Sequence, residues 1–148
     1  MAVRFVIDAS VALKWQFKDE SETEASIQML IDFIEGKISL FSPTLFIYEV
    51  VSAIHIAVSR NRIAKDEGIE IIRDILGIGV VLADFSGLEE KTLHMAKTYR
   101  RSAYDCAYLA LAQKEGCDFY TGDKRLFNAM IKSKLPFVKW IGHYMNAA

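Results

Sequence analysis

Two prolines and two cysteines are all that a chain of 148 residues contains. So little proline leaves no proline-rich linker or polyproline segment, and Pro43 and Pro136 stand where elements should start or stop. Cys106 and Cys117 are eleven residues apart in one predicted helix and its far end. That is about 16 Å at 1.5 Å per residue, beyond the reach of a disulfide. They are expected as free thiols of a reducing, cytoplasmic compartment. The three histidines, His55, His94 and His143, are scattered, and none forms a short pair with a cysteine or another histidine, which excludes a zinc motif. No apolar run approaches the length of about 18 residues that a membrane span requires. The segment Met1 to Val6 is too short and too soon broken by Asp8 for a signal peptide. Charge of one sign is lacking too: the net charge is −1 and the pI about 6.3. Composition therefore gives no general pull toward nucleic acid. Local clusters at Arg60, Arg62 and Lys65, at Lys97, Arg100 and Arg101, and at Lys124, Arg125, Lys132 and Lys134 still leave room for a basic groove.

What is present is a core. Hydrophobic residues make up 52% of the chain and charged residues 25%, enough for one ordered domain over 1–148. Short apolar runs predict strands at Val3–Ile7, Ile38–Phe41, Val80–Leu82, Phe119–Tyr120 and Phe137–Lys139. Helices are predicted between them: Ser10–Phe17, Ser21–Phe33, Ser42–Ser59 with Ser42 as cap and Pro43 in the first turn, Lys65–Leu76, Ser86–Tyr99 with Ser86 and Glu89 as a capping box, Ser102–Lys114 closed by Gly116, and Asp123–Ile131. Buried-type strands alternating with helices describe an α/β fold whose parallel sheet is covered on both faces. Right-handed crossovers put the strand carboxyl ends along one edge, where ligands bind in such sheets.

Four acidic residues fall at that edge. Asp8 ends the first strand in "FVIDASVALKW", and Asp123 follows the fourth in "CDFYTGDKRL". Asp105 lies in the first turn of "SAYDCAYLALAQ". Glu49 interrupts "TLFIYEVVSAIHIAV", where its helical neighbours Leu45, Phe46, Ser52 and Ala53 offer little to a charge. Each has a plain structural alternative: Asp8 as a loop residue, Asp105 as a helix-dipole partner, Asp123 as a cap, and Glu49 paired with a lysine from elsewhere. Together they repel one another unless some stay protonated or a divalent cation joins them. Hard cations such as Mg²⁺ and Mn²⁺ take carboxylate oxygens, water and substrate phosphate. A cluster of this kind suits phosphodiester cleavage by a metal-activated water, with no side-chain nucleophile.

These stretches, "VIDASVALKW", "SPTLFIYEVVSAI", "SAYDCAYLALAQKEG" and "FYTGDKRLFNA", occur in an order that resembles a PIN domain, specifically the toxin of a VapBC-type toxin–antitoxin pair. The resemblance covers nearly the whole chain. It implies a Rossmann-like three-layer α/β/α sandwich with a central parallel sheet and a Mg²⁺- or Mn²⁺-dependent endoribonuclease. The family's acidic quartet falls on Asp8, Glu49, Asp105 and Asp123, as metal ligands and catalytic residues. Ser10 and Thr121 match small polar positions of the family and are expected to orient a carboxylate or a water. Ser52 stands where the family commonly has Asn. The implied partners are an RNA substrate, a cognate antitoxin protein and a second copy in a homodimer. The helix pair from Thr44 to Leu76 is the expected contact region, although its apolar residues also suit a core.

Other readings place different demands on the chain. A haloacid-dehalogenase-like phosphatase needs a second Asp where Ser10 stands. A response-regulator receiver needs an acidic pair at the end of the first strand and a late Lys, and neither is evident. A PIN ribonuclease of RNA processing or turnover fits as well as a toxin does, and a non-catalytic RNA-binding module would tolerate loss of the quartet.

Overall fold

A computed structural model describes residues 3–145. Met1 and Ala2 of the segment expected not to be a signal peptide, and the outermost positions of the single domain expected over 1–148, lie outside the described residues. Five strands, β1 (Val3–Ile7), β2 (Ile38–Pro43), β3 (Val81–Ala83), β4 (Asp118–Thr121) and β5 (Val138–Trp140), form one sheet in the order β3-β2-β1-β4-β5. Every pairing is parallel. The helices are α1 (Ala9–Leu13), α2 (Thr23–Ile34), α3 (Leu45–Ser59), α4 (Lys65–Gly77), α5 (Glu89–Tyr99), α6 (Ala103–Glu115) and α7 (Lys124–Lys132), with a short 3-10 turn at Ile141–His143.

The period of two along each strand divides the core. Ile7 and Leu40 pack with α1 to α4 on one face; Val6, Phe41 and Phe119 pack with α5 to α7 on the other. This is the expected α/β/α sandwich. The middle of α6 is buried all round, from Cys106 to Ala112, because it lies across β1, β2 and β4. A helix so placed has no solvent face to make polar. Burying a side chain such as Leu109 contributes roughly 1.5–3 kcal/mol. Gly116 ends α6 at φ +63°, a left-handed conformation that glycine adopts without steric cost. Both cysteines are free, Cys106 buried and Cys117 half-buried.

Several boundaries shift by a residue or two, and three differ because another partner outweighs the expected signal, a distant one at Ser42 and Trp15 and a neighbouring one at Ser86. Ser42 and Pro43 do not open the third helix. They extend β2 and pair with Leu82 and Ala83 of β3, and the Ser42 hydroxyl donates to the carbonyl of Ile7; α3 starts at Leu45. Ser86 and Glu89 form no capping box. The Ser86 amide donates to Asp84 Oδ1 in a turn (3.1 Å), and α5 begins only at Glu89, after the buried Leu88. The first helix stops at Leu13 instead of Phe17. Beyond it the ladder tightens to i−3 bonds from Lys14, Trp15 and Gln16, and the Trp15 indole donates to the Ser26 carbonyl at 3.0 Å.

Candidate active site

The strand order reverses direction around β1: the chain proceeds outward through β2 and β3, then crosses to β4 on the other side. The carboxyl ends of β1 and β4 flank the resulting crevice, the usual ligand position in an open parallel sheet. A pocket of about 200 Å³ lies here, and Asp8, Glu49, Asp105 and Asp123 all line it. Four acids from four separate stretches of chain are thus brought together. Ser10 also lines the pocket, and Thr121 lies buried behind it.

Asp8 is the most constrained. Its carboxylate is buried, and both oxygens accept hydrogen bonds, Oδ1 from the Ser10 hydroxyl and Oδ2 from Thr121 Oγ1 at 2.5 Å. Each hydroxyl in turn accepts from backbone: Ser10 Oγ from the Gly122 amide at 2.7 Å, Thr121 Oγ1 from the Asp123 amide at 3.0 Å. Donation toward Asp8 leaves the hydroxyl lone pairs facing those amides, so the end of β1 is tied to the turn after β4. The absence of a side chain at 122 is what permits this approach. A Cβ there would lie 2.4 Å from Lys14 Cε and 3.2 Å from both the carbonyl and the hydroxyl oxygen of Ser10. Burial raises the Asp8 pKa to about 7; the two hydroxyl donors oppose the rise, and the charges of Glu49 and Asp123 add to it.

Glu49 stands in the second turn of α3, half-buried. Its partner is a residue the sequence did not single out: the Tyr108 hydroxyl donates to Glu49 Oε1. Tyr108 is one helical turn after Asp105 on α6, so the two share a face. Its ring is stacked on Phe119, centroids 5.6 Å apart. The signal for it was available in the spacing of "YDCAY" and in the lack of any partner for Glu49 within α3. Burial pushes the Glu49 pKa up, with Tyr108 opposing and the charges of Asp105 and Asp123 adding. The Tyr108 hydroxyl is driven upward by burial and by Glu49 and Asp8, so it stays protonated as a donor.

Asp105 accepts from Arg101 at 3.0 Å, an ion pair one turn apart, while its own amide donates to the capping Ser102 hydroxyl. Asp123 caps α7, with Oδ1 accepting from the amides of Arg125 and Leu126 at 3.0 and 3.2 Å. Asp105 and Asp123 thus serve their helices as ion-pair partner and cap while also lining the pocket.

The donor set is all oxygen and suits a hard divalent cation. Among the described residues no three such side chains close in on a common point as they stand. Mg²⁺ commonly takes only one or two carboxylates, with water and phosphate completing the shell, so the set fits such an ion. Burial first and neighbouring carboxylates second hold the Asp8 and Glu49 carboxyls above their usual range, and added positive charge would oppose both effects.

Beside this pocket a larger groove of about 660 Å³ shares Glu49 as a wall and is lined by Leu45, Tyr48, Ser52, Phe85 and Tyr104. Tyr48 and Tyr104 are 73% and 66% exposed, large apolar surface left open to solvent.

A family model for the PIN domain matches residues 5–132. Among solved structures, the chain is similar to the crystal structure of PAE2754 from Pyrobaculum aerophilum. The TM-score is 0.70 at 23% sequence identity, over 95% of this chain and 92% of that one. At that identity the likeness bears on the fold alone. No curated protein matches the chain significantly.

Proposed function

Because the chain belongs to the PIN domain family, whose members are generally nucleases, we propose that it is a metal-dependent endoribonuclease whose site is Asp8, Glu49, Asp105 and Asp123. The observation that carries this reading is the convergence of those four carboxylates on one pocket at the carboxyl edge of the sheet. Asp8, Glu49 and Asp105 would hold a Mg²⁺ or Mn²⁺ ion, with Asp123 as a further ligand or in support of a second. When bound, such an ion makes an attacking water more acidic and offsets the charge developing on a phosphodiester. Ser10 and Thr121 fix the direction of the Asp8 oxygens. Tyr108 holds Glu49 by one oxygen and leaves the other to face the pocket. Arg101 turns the Asp105 carboxylate and partly balances it. The experiment is incubation of the pure protein with RNA and Mg²⁺, with and without EDTA, beside Asp8→Asn. Cleavage is expected only for the native protein with metal; cleavage that survives chelation or the substitution would overturn the mechanism.

The finer reading is the toxin of a toxin–antitoxin pair, acting as a homodimer. The exposed apolar residues on α3 and α4 support it: Tyr48, Val51, Ile56, Ile69 and Leu76, which a monomer would gain by covering. An antitoxin would inhibit by covering the groove beside Glu49 and placing a basic side chain among the acids. Co-expression with the product of an adjacent small reading frame tests it: a stable inhibited complex supports the toxin role, and full activity in its presence favours RNA processing or turnover.

A further inference from the structure

The charge of the chain is unevenly placed. Residues 124–148 contain Lys124, Arg125, Lys132, Lys134 and Lys139 and no Asp or Glu, while the remainder carries thirteen Lys and Arg against nineteen Asp and Glu. A net −1 thus conceals a basic end and an acidic body. The change of sign falls immediately after Asp123, at the wall of the acidic pocket. The other basic clusters are partly spent on ion pairs: Arg62 with Asp19 and Glu20, Arg101 with Asp105. None of the five cations after Asp123 pairs with a carboxylate among the described residues.

Two of these cations, Lys134 and Lys139, line a groove of about 470 Å³ between α7 and the edge strand β5, together with Trp140 and His143 and no acidic residue. Since α7 descends from the carboxyl edge of the sheet and β5 returns to it, the groove runs beside the sheet from the pocket side toward the opposite edge. At the pocket side Lys124 lies over Trp140, its Nζ 4.4 Å from the ring centroid, and 5.4 Å from that of Phe127. That contact fixes the stem while leaving the charge at the surface. Trp140 and Phe127 are themselves buried, so the groove offers charge and not open ring faces for stacking.

We infer that this edge is the track for the sugar–phosphate backbone of single-stranded RNA running to or from the acidic pocket, with Lys124, Lys134 and Lys139 each opposite a phosphate. Charge complementarity selects the occupant: a strand whose scissile phosphate enters a carboxylate pocket needs its flanking phosphates neutralised elsewhere, and among the described residues a run of five cations with no ion pair and no intervening acid begins one residue from that pocket. This inference rests on the ribonuclease reading for the identity of the polyanion.

The test separates the two. A labelled single-stranded oligoribonucleotide is titrated in EDTA, where no cleavage occurs, at several salt concentrations. Each phosphate contact on a single strand contributes about −0.7 to the slope of log K against log salt. Lys134→Gln with Lys139→Gln should flatten the slope by about 1.4, while the same charge change on α4, Lys65→Gln with Arg73→Gln, leaves it unaltered. In Mg²⁺ the first pair should raise KM for a long oligonucleotide and leave kcat in place. An unaltered slope for the groove pair, equal flattening by the α4 pair, or equal displacement of RNA by polyglutamate of matched charge would overturn the track. Binding with the expected slope but without cleavage in Mg²⁺ leaves the track standing and defeats the nuclease reading; cleavage with an unaltered slope does the reverse.

Discussion

Asp8 follows β1 directly, with both oxygens engaged and its acid form favoured up to about pH 7. The folded protein therefore holds a proton there that the unfolded chain releases near pH 4. In the absence of metal, stability should fall as pH rises from about 4 through 7 and level off above. Asp8→Asn should flatten that fall, as seen in melting temperatures at pH 5 and 8 in EDTA; an equally steep fall in the variant would assign it elsewhere. Thr121→Val removes one of the two hydroxyl donors, so Asp8 should titrate higher still. Loss of an orienting partner of this kind typically costs about 10–100-fold in metal affinity or activity, to be read as the Mg²⁺ concentration giving half-maximal cleavage. Glu49→Gln should abolish cleavage yet leave the melting temperature in EDTA unharmed or raised, because a carboxylate leaves a repulsive group while Tyr108 keeps an oxygen to donate to. Normal cleavage by that variant would reduce Glu49 to a partly buried acid bonded to a tyrosine. The oddity of Glu49 was legible in the sequence as a charge among apolar neighbours. Tyr108 was legible only as a residue sharing the Asp105 face of its helix; that it reaches Glu49, 59 positions away, is a consequence of the fold.

At the scale of elements, what could be read was the alternation of strand and helix, because burial of both sheet faces makes strands continuously apolar. Strand β1 has the expected limits, and Gly116 closes α6 as expected. Caps were the less legible part. Ser42 and Ser86 carry the right side chains, but one is claimed by the Ile7 carbonyl and the other lies in a turn held by Asp84. The first competitor is 35 positions away and invisible locally; the second is an Asx-type turn only two residues long, a local signal that competes with the capping pattern. The turn after β4 is equally tertiary in origin. Gly122→Ala should displace Lys14 and Ser10, cost about 1–3 kcal/mol as overpacking, and lower cleavage as the Ser10 contact with Asp8 shifts. A melting curve and a cleavage assay on one sample check both. Leu109→Ala, in the buried span of α6, should cost about 2–5 kcal/mol in denaturant unfolding.

For the molecule as a whole, an ion that binds the folded pocket and not the unfolded chain raises stability by mass action, about 2.7 kcal/mol at a hundredfold excess over Kd. Mg²⁺ should therefore raise the melting temperature of the native protein and not that of Asp8→Asn. The rise should grow with pH across the range where Asp8 sheds its proton. Equal rises in both would place the ion elsewhere.

The bond from Thr121 to Asp8 joins residues 113 positions apart. During synthesis, Asp8, Glu49 and Asp105 all leave the ribosome before the strand that carries Thr121 and the turn that carries Asp123. Three of the four acids can thus be present on a nascent chain whose first carboxylate still lacks the hydroxyl that aims it. The pocket is therefore completed late in synthesis: its first carboxylate gains its second hydroxyl only when β4 has emerged and paired with β1.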